Sequence, residues 1–252
     1  MCGRVRQTGP ELPGIHSEMG ATEETLARAW KAHHNGAPSQ WLWCIRREPG
    51  TTRYVHDLLQ WGFTPAWYKT LSQGQRPINA RCEGIASSGM FRNAYKGRRC
   101  LVPVDGFFEW QKIFGDDGKP MKGKKQPYAI AMADHSKFAL AGIWESWTDK
   151  ETGNVTRTFA IVTCTPNSLV GQIHDRMPVI LHAKDYSRWL DNIEPDPADL
   201  MVPYPSELMD MWPISSKVNS PSYNQPDVAD PVREPGTRPS SEDGFADEPD
   251  LI

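Results

Sequence analysis

The sequence predicts an α+β domain built mainly on an antiparallel sheet. Three observations carry this. Candidate strands outnumber candidate helices along the chain. Most strands are joined by short turns rich in Gly, Pro, Asn and Asp, and short connections favour antiparallel neighbours. At 252 residues, with 38% apolar residues and ten tryptophans, the chain can bury one good-sized core.

The elements follow in order. Gly9-Pro10 and Pro13-Gly14 mark an opening loop. Thr22 is placed to cap a helix over about residues 23–33, with acids in its first turn and Asn35-Gly36 beyond its end. Residues 41–45 and 53–56 form a strand pair around the Glu48-Pro49-Gly50 turn. Residues 61–68 are an aromatic loop, and a helical turn runs through Met90-Phe91. Residues 98–104 read as a buried strand that runs into Asp105-Gly106-Phe107-Phe108-Glu109-Trp110. Residues 115–125 read as a Gly- and Lys-rich loop, its Lys119–Lys125 cluster a solvated hairpin loop rather than a binding patch. Three more strands span 128–132, 138–144 and 158–163, the last two joined by a turn over 149–154. Short helices are expected over 167–172 and 184–190. From Ser220 apolar periodicity disappears and Pro, Ser, Gly and acids dominate. The predicted domain is therefore 1–221, with 222–252 a disordered tail.

Composition narrows the functional classes. No stretch is apolar for long enough to span a bilayer, and Gly, Pro, Glu and Arg interrupt the start before a signal-peptide core forms. The five cysteines are odd in number and show no Cys-x-x-Cys or zinc spacing. A reducing, intracellular compartment without a structural metal is expected. The formal charge is −3, but the ends differ. From Ser220 onward eight acids face only Arg233 and Arg238, a net of −6, so the rest of the chain carries +3. A mildly basic body with an acidic tail is compatible with nucleic-acid binding.

The first four residues, Met1-Cys2-Gly3-Arg4, are the chemically distinctive stretch. Once Met1 is removed, Cys2 presents an α-amine and a thiol on adjacent carbons. Such a pair attacks an aldehyde through nitrogen and closes through sulfur to a thiazolidine. Both groups titrate near neutrality, the amine at roughly 7.7–8.0 and the thiol at about 8.5. Gly3 allows a tight turn into a pocket, and Arg4 adds a fixed positive charge beside the reactive end.

Other candidates lie downstream. Glu109, between Phe108 and Trp110, is either a desolvated general acid and base or the outward residue of an alternating strand. His174 titrates where proton transfer is useful, with Asp175 at hand to orient it; a loop histidine also serves structure alone. Asn79 precedes Arg81, a pair suited to a sugar or phosphate, or else forms an Asx-turn. Arg4, Arg46, Arg47, Arg81, Arg92, Arg98 and Arg99, interleaved with Trp67, Tyr68 and Phe91, are candidates for a single-strand interface. Thr163, closing a predicted strand, joins that set.

These segments together resemble the SOS response-associated peptidase (SRAP) family. The resemblance rests on Met-Cys-Gly-Arg at 1–4, Asn35-Gly36-Ala37-Pro38 and Trp61-Gly62-Phe63-Thr64-Pro65-Ala66-Trp67. It continues through Asn79-Ala80-Arg81-Cys82-Glu83, Arg99-Cys100-Leu101-Val102-Pro103 and Asp105-Gly106-Phe107-Phe108-Glu109-Trp110. Ile173-His174-Asp175-Arg176-Met177-Pro178 and Val218-Asn219 complete it over about residues 2–221. It implies a single compact domain with a barrel-like β core flanked by short helices. It implies a DNA-damage role in which Cys2 links covalently to the ring-opened aldehyde of an abasic site in single-stranded DNA. Glu109 and His174 would move protons and Asn79 would position Cys2. Arg4 and Arg81 would contact phosphate and Trp67 would lie at the junction edge; Tyr68, Phe91 and Thr163 complete the expected DNA-binding set. Autocatalytic loss of Met1 and lyase-type reversal also follow from it, with no cofactor or metal, no membrane, and a monomer acting in the cytoplasm, nucleoid or nucleus. Tyr68 stands where the family commonly has a second tryptophan, and Gly84 where it has threonine.

Two other classes compete. An N-terminal-nucleophile amidohydrolase also starts Met-Cys-Gly, but its downstream Arg-Gly-Pro and Asn-Gly-Glu segments do not occur here. A non-covalent reader of damaged DNA would leave Cys2 incidental.

Overall fold

Five strands close into a ring at the centre of the molecule. In a computed structural model, residues 2–16, 18–19, 32–71, 73–191 and 196–232 are described. The strands in chain order are β1 (Val5–Gln7), β2 (Glu18–Met19), β3 (His33–Gly36), β4 (Trp41–Arg47), β5 (Tyr54–Trp61), β6 (Asn79–Arg81) and β7 (Arg99–Val104). They continue as β8 (Gly106–Phe114), β9 (Pro120–Met132), β10 (Phe138–Thr148), β11 (Val155–Cys164), β12 (Met177–Pro178), β13 (Ile180–Leu181) and β14 (Met209–Pro213). Among the described residues two short α-helices, α1 (Arg92–Gly97) and α2 (Tyr186–Leu190), pack outside.

The ring runs β5-β4-β7-β10-β11, every neighbour antiparallel, and closes where β11 pairs in parallel with β5 through Thr158↔Gln60 and Phe159↔Trp61. Closure removes the open edges that a sheet of this size would expose. The expected α+β fold with a barrel-like core is what forms. A second, wholly antiparallel sheet in the order β14-β9-β8-β1-β3 packs beside it. Because both faces of β7 are covered, all six of its residues are buried, which explains its unbroken apolar run. Leu42, Ile45, Leu59, Trp61, Leu101, Ile143, Phe159 and Ile161 fill the core. Among the described residues no helix is long and apolar enough to cross a membrane.

Several expectations shift. The β4–β5 hairpin forms with Gly50 in the left-handed region at φ 77°, but β5 runs on to Trp61 and takes in the start of the expected aromatic loop. The helix expected over 23–33 lies outside the described residues except at its end, where His33 opens β3. The expected loop over 115–125 shortens, because Pro120 to Lys125 pair back onto β8 through Lys112↔Lys125 and Phe114↔Pro120. The helix expected over 167–172 is a single 3₁₀ turn, Val170–Gln172, and that over 184–190 is a 3₁₀ turn running into α2.

The domain also reaches past the expected boundary at 221. Asn224 Oδ1 accepts from the Asn35 backbone N–H at 3.0 Å, and its Nδ2 donates to the Ala32 carbonyl at 2.8 Å. Pro226–Ala229 forms a 3₁₀ turn that drops Val228 into a small core with Phe108, Ala129, Ile214 and Val218. Trp212 Nε1 donates to the Ala229 carbonyl at 2.7 Å. Composition hid this because one buried valine among prolines and acids leaves no periodicity. Residues 233–252 lie outside the described residues. A chain ending at Pro221 is expected to lose about 3–5 kcal/mol, from one buried valine and several hydrogen bonds. That is a fall in Tm on the order of 10 °C. A chain ending at Val232 is expected to keep the full-length value. Equal Tm for the two truncations, read by thermal denaturation, would remove this role for 222–232.

Candidate active site

The chain start is threaded into the second sheet. Val5 pairs with Phe107, and the Phe108 N–H donates to the Arg4 carbonyl at 3.0 Å. Residues before Arg4 therefore run antiparallel beside Glu109 and Trp110. Cys2 is fully buried, and its thiol lies 4.0 Å from the Arg4 carbonyl.

Asn79 and Glu109, from distant segments, meet it, and His174 stands behind Glu109. Asn79, the first residue of β6, is held in register against Ile161 of β11. Its Nδ2 donates to the Cys2 carbonyl at 2.8 Å, while its buried Oδ1 has no hydrogen-bond partner among the described residues. Glu109, only 3% exposed, approaches from β8. His174 follows the 3₁₀ turn at Val170–Gln172 and places Nε2 3.9 Å from Glu109 Oε2. The Arg176 backbone N–H lies 3.0 Å from His174 Nδ1. Asp175 Oδ1 lies 3.0 Å from the same Nδ1.

Burial dominates the electrostatics. It pushes the Glu109 carboxyl above its ordinary range, opposed by the nearby His174. It also pushes the Cys2 thiol up, and the Glu109 charge adds to the shift. A neutral thiol thus sits beside a carboxyl group able to exchange a proton.

A clamp absent from the sequence reading holds two of these groups together. Arg176 bonds both carboxylate oxygens of Glu83, one of them at 3.0 Å, and donates to the Thr163 carbonyl at 2.6 Å. Bidentate pairing of this kind is geometrically specific. The Arg176 hydrogen bond holds the Glu83 carboxyl down to about 2. One guanidinium therefore ties the loop of His174 to the segment of Asn79 and to the end of β11. The signal was present, since Arg176 follows His174 by two and Glu83 follows Arg81 by two. Nothing in the sequence paired them.

Several interface candidates have structural partners. Arg4 bonds the Asn35 Oδ1 at 3.2 Å and the Val218 and Asn219 carbonyls, and stacks 5.8 Å from the Trp110 ring. Asn35, missed as a site residue, donates in turn to the carbonyls of Val218, Ser220 and Tyr223. Arg46 is buried against Asp57, Arg98 pairs with Glu145, and Arg47 donates to the Thr51 carbonyl. Arg99 is buried and bonds the Tyr95, Trp189 and Asp191 carbonyls. Thr163 is fully buried beneath Arg176, and Tyr68 is buried with its hydroxyl on the Gln75 carbonyl, so neither presents a surface to a strand. Phe91 is half-buried edge-on against Phe63. Arg81 and Arg92 are exposed, and Trp67 stands out at 64% exposure. Among the described residues no cluster of three or more potential metal ligands occurs.

A closed β barrel with Cys2 buried beside Asn79 and Glu109, and His174 next to Glu109, defines the class of domain. Comparison with known proteins gives that class its family. The profile described as "SOS response associated peptidase (SRAP)" matches residues 1–221, and the chain belongs to this family. It is 34% identical over 231 residues to the abasic site processing protein YoqW of Bacillus subtilis, covering 90% of this chain and 98% of that one. It is 37% identical to YobE of the same organism, named likewise, over 88% and 97% of the two chains. The abasic site processing protein HMCES of Gallus gallus is 28% identical over 75% of this chain and 61% of its own. A crystal structure of a Bacteroides thetaiotaomicron protein superposes with a TM-score of 0.75 at 25% identity, covering 91% of this chain and all of that one.

Proposed function

We propose that this protein captures abasic sites in single-stranded DNA as a covalent thiazolidine through Cys2, shielding the lesion. The observation that carries the reading is the convergence of Asn79 and Glu109, from separate segments, on the second residue of the chain, with His174 beside Glu109. The names of its relatives supply the substrate class.

Met1 has to leave first, because the Cys2 nitrogen is an amide until it does. Hydrolysis of the Met1-Cys2 bond yields the free amine, and Glu109 with His174 is placed to assist it. An abasic sugar is mostly a closed hemiacetal. Opening it needs an acid at the ring oxygen and a base at the hydroxyl, roles that suit the protonated Glu109 and His174. The Cys2 amine then attacks the aldehyde and loses water to give an imine. The thiol adds across the C=N bond, its proton passing to nitrogen, and the ring closes. Asn79 fixes the Cys2 carbonyl while the amine and thiol move onto the aldehyde carbon, a proximity effect. Since the lesion has no base, recognition falls to backbone and stacking, which suits exposed Arg81, Arg92 and Trp67.

The test is a denaturing gel of Met1-processed protein with a single-stranded oligonucleotide carrying one abasic site, beside the same oligonucleotide undamaged. Intact mass checks the processing. A shifted band that survives denaturant and requires the lesion is expected. Binding that disappears in denaturant would sink the covalent reading and favour a non-covalent reader.

The clamp supplies a further prediction. Replacing Glu83 by Gln keeps its size but releases one side of the Arg176 pair. His174 then loses its fixed approach to Glu109, and adduct formation is expected to slow about tenfold, or 1.4 kcal/mol of barrier. Because ring opening precedes the imine, the borohydride-trapped product should slow by the same factor, whereas a substrate that already presents a free aldehyde should be slowed less. Single-turnover rates on the two substrates read the difference; equal slowing on both would make the clamp merely structural.

A further inference from the structure

The strand that carries Glu109 does not end at the site. Beyond Trp110, β8 continues through Gln111, Lys112, Ile113 and Phe114, turns, and returns as the first half of β9. From Lys112 to Lys125 every residue but Gly115 is exposed. This is a two-stranded ribbon standing off the body, a form only marginally stable alone. It holds five lysines and two aspartates over residues 111–125, a net of +3. That equals the whole excess positive charge of residues 1–219.

The charges are arranged against the ribbon's own stability. Lys112 and Lys125 are directly opposite, where like charges destabilise a pair. Only Lys119 has a carboxylate within reach, Asp117 at 4.0 Å and well exposed. Lys112, Lys122, Lys124 and Lys125 have none among the described residues. Three large apolar side chains are exposed among these cations: Phe114 at 58%, with Ile113 and Met121. Cations beside an exposed aromatic fit a single strand, with phosphates on the lysines and a base on the ring. The base of the ribbon is joined to the site, since Gln111 Nε2 donates to the Gln172 carbonyl at 3.3 Å, two residues before His174.

We propose that this ribbon is an arm that lies along the phosphodiester backbone of the strand flanking the captured lesion, with Phe114 stacked on a base. The proposal rests on the abasic-site reading. It revises the expectation that these lysines are only solvated. From Glu109 to Phe114 the arm spans about 17 Å at 3.3–3.4 Å per residue. That equals about five nucleotides at the stacked rise of 3.4 Å, and fewer along an extended strand. A strand that stops two nucleotides from the lesion ends before the arm's tip, whereas one that continues for twelve passes along it.

The test uses the full Met1-processed chain, wild type and a variant with K112Q, K122Q, K124Q and K125Q. Abasic oligonucleotides carry either two or twelve nucleotides on each side of the lesion. Wild type is expected to prefer the long one, and the variant to lose about tenfold or more on the long one alone. Its slope of log affinity against log salt should be shallower by about 2–3, at roughly 0.7 per lost contact. F114A should cost a further few-fold on the long oligonucleotide only. Thermal denaturation checks that these surface changes leave folding intact. An unchanged slope, or an equal loss on both lengths, would overturn the arm. So would a ribbon that serves an anionic lipid surface instead, seen as lysine-dependent binding to phosphatidylserine vesicles with no change on DNA. If wild type forms no adduct at all, the function reading fails separately, and the salt slope on undamaged single strands still reports on the arm.

Discussion

Replacing Cys2 by Ala is expected to abolish the denaturant-stable adduct completely while leaving a trace of its chemistry behind. Alanine at the processed terminus still offers an α-amine, so the imine with the ring-opened sugar still forms. It has no sulfur to add across the C=N bond, so the imine reverts to aldehyde and amine. Without reductant the shifted band should vanish; with borohydride during the reaction a band should return, trapped as the secondary amine. A serine at the same position is expected to behave in the same way, since a neutral hydroxyl is a far weaker nucleophile than a thiol. The fold should tolerate either change, because the Asn79 hydrogen bond goes to the Cys2 backbone carbonyl rather than to its sulfur. Intact mass must confirm Met1 removal in each variant. A Cys2→Ala protein that still gave a denaturant-stable band without reductant would show that another nucleophile makes the bond.

The parts of this site that were legible in the sequence are those whose chemistry is local. A cysteine directly after Met1 suggests aminothiol chemistry by connectivity alone, and the covered strand β7 announces itself as an unbroken apolar run. Glu109 between two aromatics read as either a desolvated or an outward residue, and the fold buries it. What failed to show was everything set by long-range pairing. Nothing near Arg4 tells that Asn35 and the carbonyls at 218 and 219 occupy its guanidinium. Thr163 ends a strand and looks available, yet β6, β12 and Arg176 close over it. Short strands such as β1, β3 and β6 are only three or four residues long, too brief for a period to register, yet they place Cys2 and Asn79. The ribbon was read as loop because Gly and Lys are poor strand formers, and only pairing with β8 makes it a strand.

Replacing Glu109 by Gln should produce the second large effect, a slowing of adduct formation of about 10²–10⁴-fold, the usual range for removing a general acid or base. Glutamine keeps the shape and a hydrogen-bond donor but cannot give up or take a proton. In the wild type, burial lifts the carboxyl, so its acid form persists to higher pH than that of an exposed glutamate. Ring opening draws on that acid form, whereas the imine step needs the Cys2 amine neutral. The two demands run in opposite directions, and a bell-shaped dependence of rate on pH follows. The variant should lose the alkaline limb that belongs to Glu109 and keep the acidic limb that belongs to the amine. Stability gives an independent reading of the same carboxyl. A group whose pKa is raised on folding holds its proton more tightly in the folded state, so its contribution is fully present below the unfolded pKa and is lost as pH rises through the folded one. Relative to Glu109→Gln, the wild type should therefore be at its best in acid and lose ground toward neutral pH. Tm measured for both proteins across that range would show the gap widening with pH. A constant gap would mean that Glu109 is not held up by burial, and the acid role assigned to it would fall with the shift.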